Sequence, residues 1–306
     1  MRVLVLGATG MLGHKLMQML PEKHEVFGTL RGSIESVEQY KILNRDCLIG
    51  GVDINDFDKI IQVVSQVQPQ FIINCVGIIK QLKAANNPLV AIGINSLLPH
   101  KLANLSRACG ARLIHISTDC VFSGNKGMYK ETDIPDATDL YGRSKLLGEV
   151  SGPNCLTLRT SIIGRELESQ NGLIEWFLKM DQKEVRGFRK AIYTGLTTIE
   201  LSRILQRIME SPFNLTGVYQ VSSDPINKHE LLLLVQRAFC LSTIISPTDT
   251  PAIDRSLDST RFRHEMNYTP PAWESMINEM VADKTAYSRW KISGKLNHVQ
   301  PSQKIE

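Results

Sequence analysis

Tyr141 and Lys145 are the first residues of this sequence whose types and spacing suggest chemistry. They are four residues apart, so a helix would place both side chains on one face, one turn apart. A Lys ammonium beside a phenol favours the phenolate, which predicts that the pKa of Tyr141 lies below its usual value of about 10. Such a Tyr can exchange a proton with a carbonyl or hydroxyl oxygen near neutral pH. Because Tyr-Lys pairs are common on helix surfaces, the interpretation depends on two other motifs, at residues 7–13 and 117–119.

The first of these motifs is a glycine-rich turn. It follows a short apolar run, residues 3–6, which predicts a strand buried on both faces, and it leads into a helix-like stretch. In a dinucleotide-binding unit, Gly7 would permit the tight turn, Gly10 would let the backbone approach a pyrophosphate, and Gly13 would let helix and strand pack closely. The order of strand, turn and helix therefore predicts a dinucleotide site.

The residue after the second predicted strand indicates which dinucleotide is preferred. Enzymes that prefer NAD usually carry an acid near this point, whereas this chain has Arg31, which could pair with a 2′-phosphate. We therefore expect NADPH as the cofactor, with NADH as the alternative. The predicted cofactor contacts are Gly7, Thr9, Gly10, Met11, Leu12, Gly13, Arg31, Asp53, Ile54, Cys75, Val76, Gly77, Tyr141 and Lys145.

Apolar strand-like runs alternate with helix-like stretches over the first 120 residues, which predicts an α/β fold with a doubly wound parallel (Rossmann) sheet. A smaller, mostly helical C-terminal substrate domain is expected beside it. The dinucleotide-binding domain would comprise residues 1–165 with 192–223, the substrate domain residues 166–191 with 224–290, and a polar tail residues 291–306. The predicted strands are residues 3–6, 25–30, 71–77, 112–117, 155–163 and 218–221, with one poorly defined strand before Asp53.

Composition restricts the classes of function. The chain has 306 residues and a net charge of +4, and its Lys and Arg residues form no long run, which argues against nucleic acid as a partner. The six cysteines are scattered without a Cys-x-x-Cys pair, so neither a disulfide framework nor a metal site is expected. No window approaches the 18 apolar residues of a membrane span, and the N-terminal apolar run is too short for a signal peptide. We expect a cytoplasmic protein without membrane contacts.

Four motifs in order carry a resemblance to a known family. Residues 7–13, 117–122, 141–149 and 158–161 together resemble an extended short-chain dehydrogenase/reductase. Within that superfamily the pattern is most similar to the dTDP-4-dehydrorhamnose reductases and related nucleotide-sugar 4-keto reductases. The resemblance covers roughly residues 1–290, including residues 255–258.

The resemblance implies roles for particular residues. Tyr141 would be the catalytic acid, and Lys145 would bind the nicotinamide ribose and tune Tyr141. Thr118 would hydrogen-bond the substrate oxygen, and Asn95 would complete a proton relay. The implied reaction is reduction of the C4 ketone of a nucleotide-linked 4-keto-6-deoxy sugar, in deoxysugar, O-antigen or other surface polysaccharide biosynthesis. The implied partner is the nucleotide-sugar substrate, and a homodimer is compatible with the pattern.

Two departures from the reductase pattern concern the substrate. Cys120 stands where the family has Tyr, and Ile162 stands where it often has Trp. Both changes remove an aromatic ring, which favours a UDP-2-acetamido-2,6-dideoxy-hexos-4-ulose over dTDP-4-dehydrorhamnose because an N-acetyl group needs such space. The predicted substrate contacts are Asp119, Cys120, Ile162 and Arg189.

Several alternatives remain at this level. A 4,6-dehydratase would resemble Thr-Asp-Glu where this chain has Cys120, which argues against that activity. A nucleotide-sugar epimerase or epimerase-reductase uses similar residues, and the GDP-fucose synthases have a Cys that matches Cys120 and exchanges protons beside the ketone. Cys120 could equally be an inert buried thiol. A non-catalytic, NADP-binding regulatory subunit is the alternative from another class, against which the intact Thr118, Tyr141 and Lys145 argue.

Overall fold

The computed structural model describes residues 1–212 and 214–287. Strands and helices alternate through the first half of the chain, as the pattern of apolar runs predicts. The strands are β1 (Arg2–Leu6), β2 (Glu25–Thr29), β3 (Leu48–Ile49), β4 (Phe71–Asn74), β5 (Arg112–Ile116), β6 (Cys155–Arg159), β7 (Ile162–Ile163), β8 (Glu184–Phe188), β9 (Ala191–Tyr193), β10 (Leu196–Thr197), β11 (Gly217–Gln220), β12 (Ile226–Asn227), β13 (Ile244–Thr248) and β14 (Ile253–Asp254). The α-helices are α1 (Gly13–Met19), α2 (Phe57–Val67), α3 (Pro88–Ala91), α4 (Leu98–Cys109), α5 (Leu140–Leu147), α6 (Leu173–Leu178), α7 (Thr198–Glu210), α8 (Lys228–Ala238), α9 (Thr260–Glu265) and α10 (Trp273–Ala282).

A seven-stranded parallel sheet forms the centre of the molecule. Its strands lie in the order β11-β6-β5-β4-β1-β2-β3, and every pairing between neighbours is parallel. The chain winds outward from β1 in both directions, so the strand order reverses between β1 and β4. In such sheets a crevice opens at the carboxyl ends of the strands at this point, and ligands bind there. The predicted doubly wound Rossmann sheet is confirmed.

The wholly apolar sequence of β1 is explained by cores on both faces of the sheet. Val3 and Val5 belong to the larger core, which continues into the C-terminal part of the chain. Leu4 and Leu6 point to the opposite face and join a smaller core with residues of α2 and α4. Because successive side chains of a strand alternate in direction, a strand buried on both faces needs an unbroken apolar run.

Three predicted elements differ in detail. The predicted strand 155–163 is two strands, because the chain leaves β11 after Arg159 and pairs next with β10. The sequence also predicts one long helix that begins at Pro88 and ends at Gly110, but a π-helical segment, Ile92–Leu97, interrupts it between α3 and α4. Strand β4 ends at Asn74, so residues 75–77 form a loop at the edge of the sheet.

The second lobe combines α6, α8, α9 and α10 with short strands that the sequence did not predict. These strands form a three-stranded sheet in the order β12-β9-β14 and a two-stranded sheet of β13 and β8. The proposed domain boundaries stay a prediction, and the predicted tail, residues 291–306, lies outside the described residues. Within residues 1–212 and 214–287, no helix has the length and apolar character that crossing a membrane would need.

Candidate active site

The glycine-rich turn is shaped by contacts that exclude side chains. Gly7 has a φ of +87°, a left-handed conformation that favours glycine. A Cβ on Gly13 would lie 2.0 Å from the carbonyl oxygen of Gly7, so only glycine lets α1 pack this closely on the turn. A Cβ on Gly7 would lie 3.1 Å from a methyl group of Val76, which follows β4. The turn therefore lies in the crevice between β1 and β4, and its exposed backbone at Gly10 fits the close approach of a pyrophosphate.

Other residues predicted to contact the cofactor surround this turn. Arg31 follows β2 at the same edge of the sheet, with its side chain in solvent. The Asp53 carboxylate, which follows β3, accepts a hydrogen bond from the backbone N–H of Asn55 at 2.9 Å. Their exposure differs: Arg31 and Asp53 are exposed, Thr9, Met11 and Ile54 are half-buried, and Leu12 is buried in the core.

The loop after β4 lies between the switch-point crevice and two of the residues predicted to be catalytic. A Cβ on Gly77 would lie 3.4 Å from the side-chain oxygen of Asn95 and 3.9 Å from the Lys145 ammonium nitrogen. Cys75 and Val76 are half-buried beside it. Burial raises the pKa of the Cys75 thiol to about 12, and the nearby Lys145 charge acts in the opposite direction. Cys75 is therefore a neutral thiol that lines the crevice.

Helix α5 positions Tyr141 and Lys145. The Asp139 carboxylate accepts a hydrogen bond from the backbone N–H of Gly142 at 2.7 Å and so caps the helix. A Cβ on Gly142 would lie 2.2 Å from the carbonyl oxygen of Cys120. Glycine at this position therefore lets α5 pack directly on the loop that carries Thr118 and Cys120.

The predicted lowering of the Tyr141 pKa is wrong for this structure. Burial raises the pKa of Tyr141 above its usual value, and the neighbouring Cys120 adds to the increase. The Thr118 hydroxyl, within hydrogen-bonding reach of Tyr141, acts in the opposite direction. Tyr141 is therefore a protonated phenol at neutral pH.

Lys145 points toward the end of β5. Its ammonium donates a hydrogen bond to the carbonyl oxygen of Ile116 at 2.7 Å, and the residue is 5% exposed. Burial lowers the pKa of Lys145 to about 8, while the Glu149 carboxylate and Cys75 raise it. Lys145 is still mostly charged at pH 7 but titrates close to the physiological range.

Asn95 lies on the π-helical segment and connects two parts of the site. Its side-chain oxygen accepts a hydrogen bond from the N–H of Ile78 at 2.8 Å. Its side-chain nitrogen donates to the carbonyl oxygen of Ile78 at 3.1 Å and to the Ser144 hydroxyl at 3.2 Å. Asn95 thus fixes the loop after β4 against α5. π-helical turns are frequent at functional sites.

Thr118 and Asp119 are buried at the end of β5, and Cys120 is half-buried beside them. The Thr118 hydroxyl donates to the Asp119 carboxylate at 3.1 Å and accepts from the Cys120 N–H at 3.1 Å. Burial raises the pKa of Asp119, although Arg255 opposes this change. Burial and the Asp119 carboxylate raise the pKa of the Cys120 thiol to about 12, so Cys120 is a neutral thiol.

The two remaining residues predicted to contact the substrate differ in position. Ile162 is half-buried in β7, two residues beyond Thr160, whose carbonyl accepts from the Asp119 N–H at 3.2 Å. Arg189 lies on the surface of the second lobe, where it pairs with Asp249 at 2.8 Å and is 54% exposed. The structure therefore gives Arg189 a surface partner, and its contact with the substrate stays a prediction.

A buried ion pair behind the site was not predicted. Arg159 donates two hydrogen bonds to Glu149, at 2.8 and 2.7 Å, and both side chains are 6% exposed. The Ser117 hydroxyl donates to the same carboxylate at 2.8 Å. These contacts join the ends of β5 and β6 to the end of α5. Both residues stand in the motifs at 141–149 and 158–161, but their pairing depends on three elements that meet only in the fold.

The parallel sheet, the glycine turn in its switch-point crevice and the Tyr-Lys helix define an extended short-chain dehydrogenase/reductase fold. Residues 1–286 match the sequence model of the RmlD substrate binding domain family, and the chain belongs to that family.

Curated relatives include two reductases and a subunit of a transferase. A probable low-salt glycan biosynthesis reductase of Haloferax volcanii is 32% identical over 169 residues, which span 53% of this chain and 54% of the relative's length. The methionine adenosyltransferase 2 subunit beta of Bos taurus is 26% identical, over 82% of this chain and 77% of its own. A dTDP-4-dehydrorhamnose reductase of Aggregatibacter actinomycetemcomitans is 24% identical, over 92% of this chain and 98% of its own.

Two solved structures share the fold. A hypothetical dTDP-4-dehydrorhamnose reductase from Sulfolobus tokodaii has a TM-score of 0.75 and 28% identity, and the match covers 90% of this chain and 99% of that one. A dTDP-4-dehydrorhamnose reductase from Bacillus anthracis in complex with NADP has a TM-score of 0.76 and 22% identity, with 92% and 99% covered.

Proposed function

We propose that the protein reduces the C4 ketone of a nucleotide-linked 4-keto-6-deoxy sugar with a reduced nicotinamide cofactor. The observation that carries this proposal is the position of Tyr141, which lies one turn from Lys145 on α5 and within hydrogen-bonding reach of Thr118. Lys145 in turn borders the switch-point crevice, since a Cβ on Gly77 would lie 3.9 Å from its ammonium nitrogen. The reductases among the relatives support the same class of reaction.

The residues divide the proton chemistry between them. The cofactor, when bound, supplies the hydride that C4 receives. Tyr141, which burial keeps protonated at neutral pH, donates its proton to the developing alkoxide. The Thr118 hydroxyl, whose single proton is directed to Asp119 in this structure, turns to donate a second hydrogen bond to the same oxygen. The Lys145 ammonium stabilises the phenolate that Tyr141 becomes after proton transfer.

NADPH is the proposed cofactor. The turn at residues 7–13 fits a pyrophosphate, and exposed Arg31 at the end of β2 is available to pair with a 2′-phosphate. The NADP complex of the Bacillus anthracis reductase supports this choice. NADH remains the alternative, with the same turn holding its pyrophosphate.

The proposed substrate is a UDP-2-acetamido-2,6-dideoxy-hexos-4-ulose. Support comes from Cys120 and Ile162, which lack the aromatic rings of the reductase pattern and so leave volume for an N-acetyl group. dTDP-4-dehydrorhamnose is the competing substrate.

The test is NADPH oxidation, followed by absorbance, against UDP- and dTDP-linked 4-keto-6-deoxy sugars with and without a 2-acetamido group. We expect stoichiometric NADPH consumption with at least one sugar and a product reduced at C4 by NMR.

Tyr141→Phe should lower kcat by a factor of about 100 or more while NADPH affinity stays within a few-fold. Tyr219→Phe, which removes a hydroxyl that donates to Glu265 on α9, is the matched control. A Tyr141→Phe variant that keeps over a tenth of kcat would refute the general-acid role, and turnover without NADPH consumption would indicate an epimerase.

A second candidate is a non-catalytic NADP-binding subunit. It is favoured by the likeness to methionine adenosyltransferase 2 subunit beta over 82% of this chain. A protein that binds NADPH but reduces no sugar of the panel, and that coelutes with a transferase subunit from the same organism, would support this candidate.

A further inference from the structure

His14 fixes the orientation of one peptide group in the glycine-rich turn. The imidazole Nδ1 lies 2.9 Å from the carbonyl oxygen of Gly10, and the backbone N–H of His14 donates to the same oxygen at 3.0 Å. A carbonyl only accepts, so Nδ1 carries a proton in this contact. In a trans peptide the N–H points opposite to the C=O. The two hydrogen bonds to the Gly10 carbonyl therefore direct the N–H of Met11, in the same peptide group, away from α1.

The other side of the imidazole meets the far end of the chain. His14 is fully buried, and its Nε2 lies 2.8 Å from the Tyr287 hydroxyl. The two rings meet edge to face, with centroids 5.7 Å apart. Tyr287 is 2% exposed, and the Arg165 guanidinium lies 4.6 Å from the centre of its ring. The imidazole is therefore held between the turn and Tyr287.

Tyr287 belongs to an anchor segment (residues 283–287) that follows α10 and contacts α1 at two further points. Buried Lys15 pairs with Asp283 at 2.6 Å, and Asp283 also accepts a hydrogen bond from the Tyr287 hydroxyl at 3.2 Å. The Gln18 amide donates to the Thr285 hydroxyl at 3.0 Å. The anchor segment thus follows one face of α1 and orients Tyr287 toward His14.

We infer that His14 and the anchor segment are positioning elements of the dinucleotide site, which set the Gly10–Met11 peptide group for the cofactor's pyrophosphate. The inference rests on the proposed cofactor binding. The affinity for the dinucleotide would then depend on the Tyr287 hydroxyl, although Tyr287 lies 273 residues from His14 in the sequence.

The test is calorimetric titration of wild type and Tyr287→Phe with NADPH, with 2′-phospho-ADP-ribose and with adenosine 2′-monophosphate. The variant keeps the ring and loses the hydroxyl. We expect a threefold to tenfold rise in Kd, roughly the effect of one neutral hydrogen bond, for the two ligands with a pyrophosphate and no change for the monophosphate. The KM for the sugar and kcat at saturating NADPH should stay unchanged. His14→Gln, which alters the contact with the turn itself, is the second variant should Tyr287→Phe fold poorly.

Tyr268→Phe is the matched control, since it removes another buried hydroxyl. That hydroxyl donates a hydrogen bond of 3.0 Å to Glu200 on α7 and not to a residue of the turn. It should leave all three Kd values unchanged. Unchanged affinity in Tyr287→Phe, or equal weakening of all three ligands, would overturn the inference while leaving the proposed function intact. A wild-type protein that binds none of the ligands would overturn both.

Discussion

Glu149→Gln tests whether the buried ion pair of Glu149 and Arg159 holds the end of α5 against the ends of β5 and β6. The Glu149 carboxylate accepts hydrogen bonds from Arg159 at 2.8 and 2.7 Å and from Ser117 at 2.8 Å. Glutamine has nearly the same shape, but its amide NH2 would face an N–H group of Arg159, and the guanidinium would lose its counter-charge. The substitution therefore leaves a buried charge unpaired.

The expected loss is about 3 kcal/mol in the free energy of unfolding, at the lower end of values for breaking a buried pair, because one acceptor oxygen remains. Urea denaturation followed by tryptophan fluorescence measures it. Asp249→Asn is the matched control, since it removes one partner of the exposed pair with Arg189, for which we expect a much smaller loss of stability. A loss below about 1 kcal/mol for Glu149→Gln would show that this pair does not hold the strand ends.

The same substitution should change the titration of Lys145. Burial lowers the pKa of Lys145 to about 8 and Glu149 raises it, so the variant's Lys145 should titrate below 8. On the alkaline side of the pH profile, kcat/KM of the variant should then begin to fall at a lower pH than in wild type. The pKa of Lys145 also affects folding stability. Between pH 8 and 10.5 the unfolded state, in which the Lys145 pKa is near 10.5, binds more protons than the folded state. The contribution of Lys145 to stability therefore increases as the pH rises through this window.

Three further predictions concern single positions. Arg31→Asp should raise the Kd for NADPH far more than that for NADH, because a carboxylate would face the 2′-phosphate; equal changes in titrations with both cofactors would contradict the role of Arg31. In deuterium oxide, wild type and Cys120→Ser should both form a product without deuterium at C3 or C5, because the Cys120 thiol, with a pKa of about 12, stays protonated. Deuterium seen by NMR only in the wild-type product would show that Cys120 takes part in acid–base chemistry. Gly13→Ala should lower the free energy of unfolding by about 1–3 kcal/mol and weaken NADPH binding, because its methyl group would lie 2.0 Å from the Gly7 carbonyl oxygen. A variant that matches wild type in urea denaturation and in titration with NADPH would disprove this packing.

The sequence predicted those parts of the fold that local patterns specify. Residues 3–6 and 71–73 are apolar on both faces, so their place inside a parallel sheet follows from composition alone. The short strands β9, β12 and β14 have two or three residues each, which is too few for any periodicity to show. They form only because the second lobe brings them together.

Spacing predicted that Tyr141 and Lys145 share one helix, but not the electrostatics of their surroundings. Tyr141 and Lys145 lie on one helix as their separation requires. The pKa of Tyr141 was predicted in the wrong direction because spacing carries no information about burial, which dominates here. Likewise, the pair of Glu149 and Arg159 depends on where α5 and β6 end, and the bond of Asn95 to Ile78 depends on a π-helical turn that no sequence pattern indicated.

The contact between α1 and the anchor segment also affects the order of events during synthesis. Lys15 is buried, yet its carboxylate partner Asp283 is 268 residues further along the chain. At a synthesis rate of about 5–20 residues per second, the ribosome needs roughly 13 to 54 seconds to add that length. Lys15 of the first helix can therefore meet Asp283 only after nearly the whole of the chain between them has been synthesised.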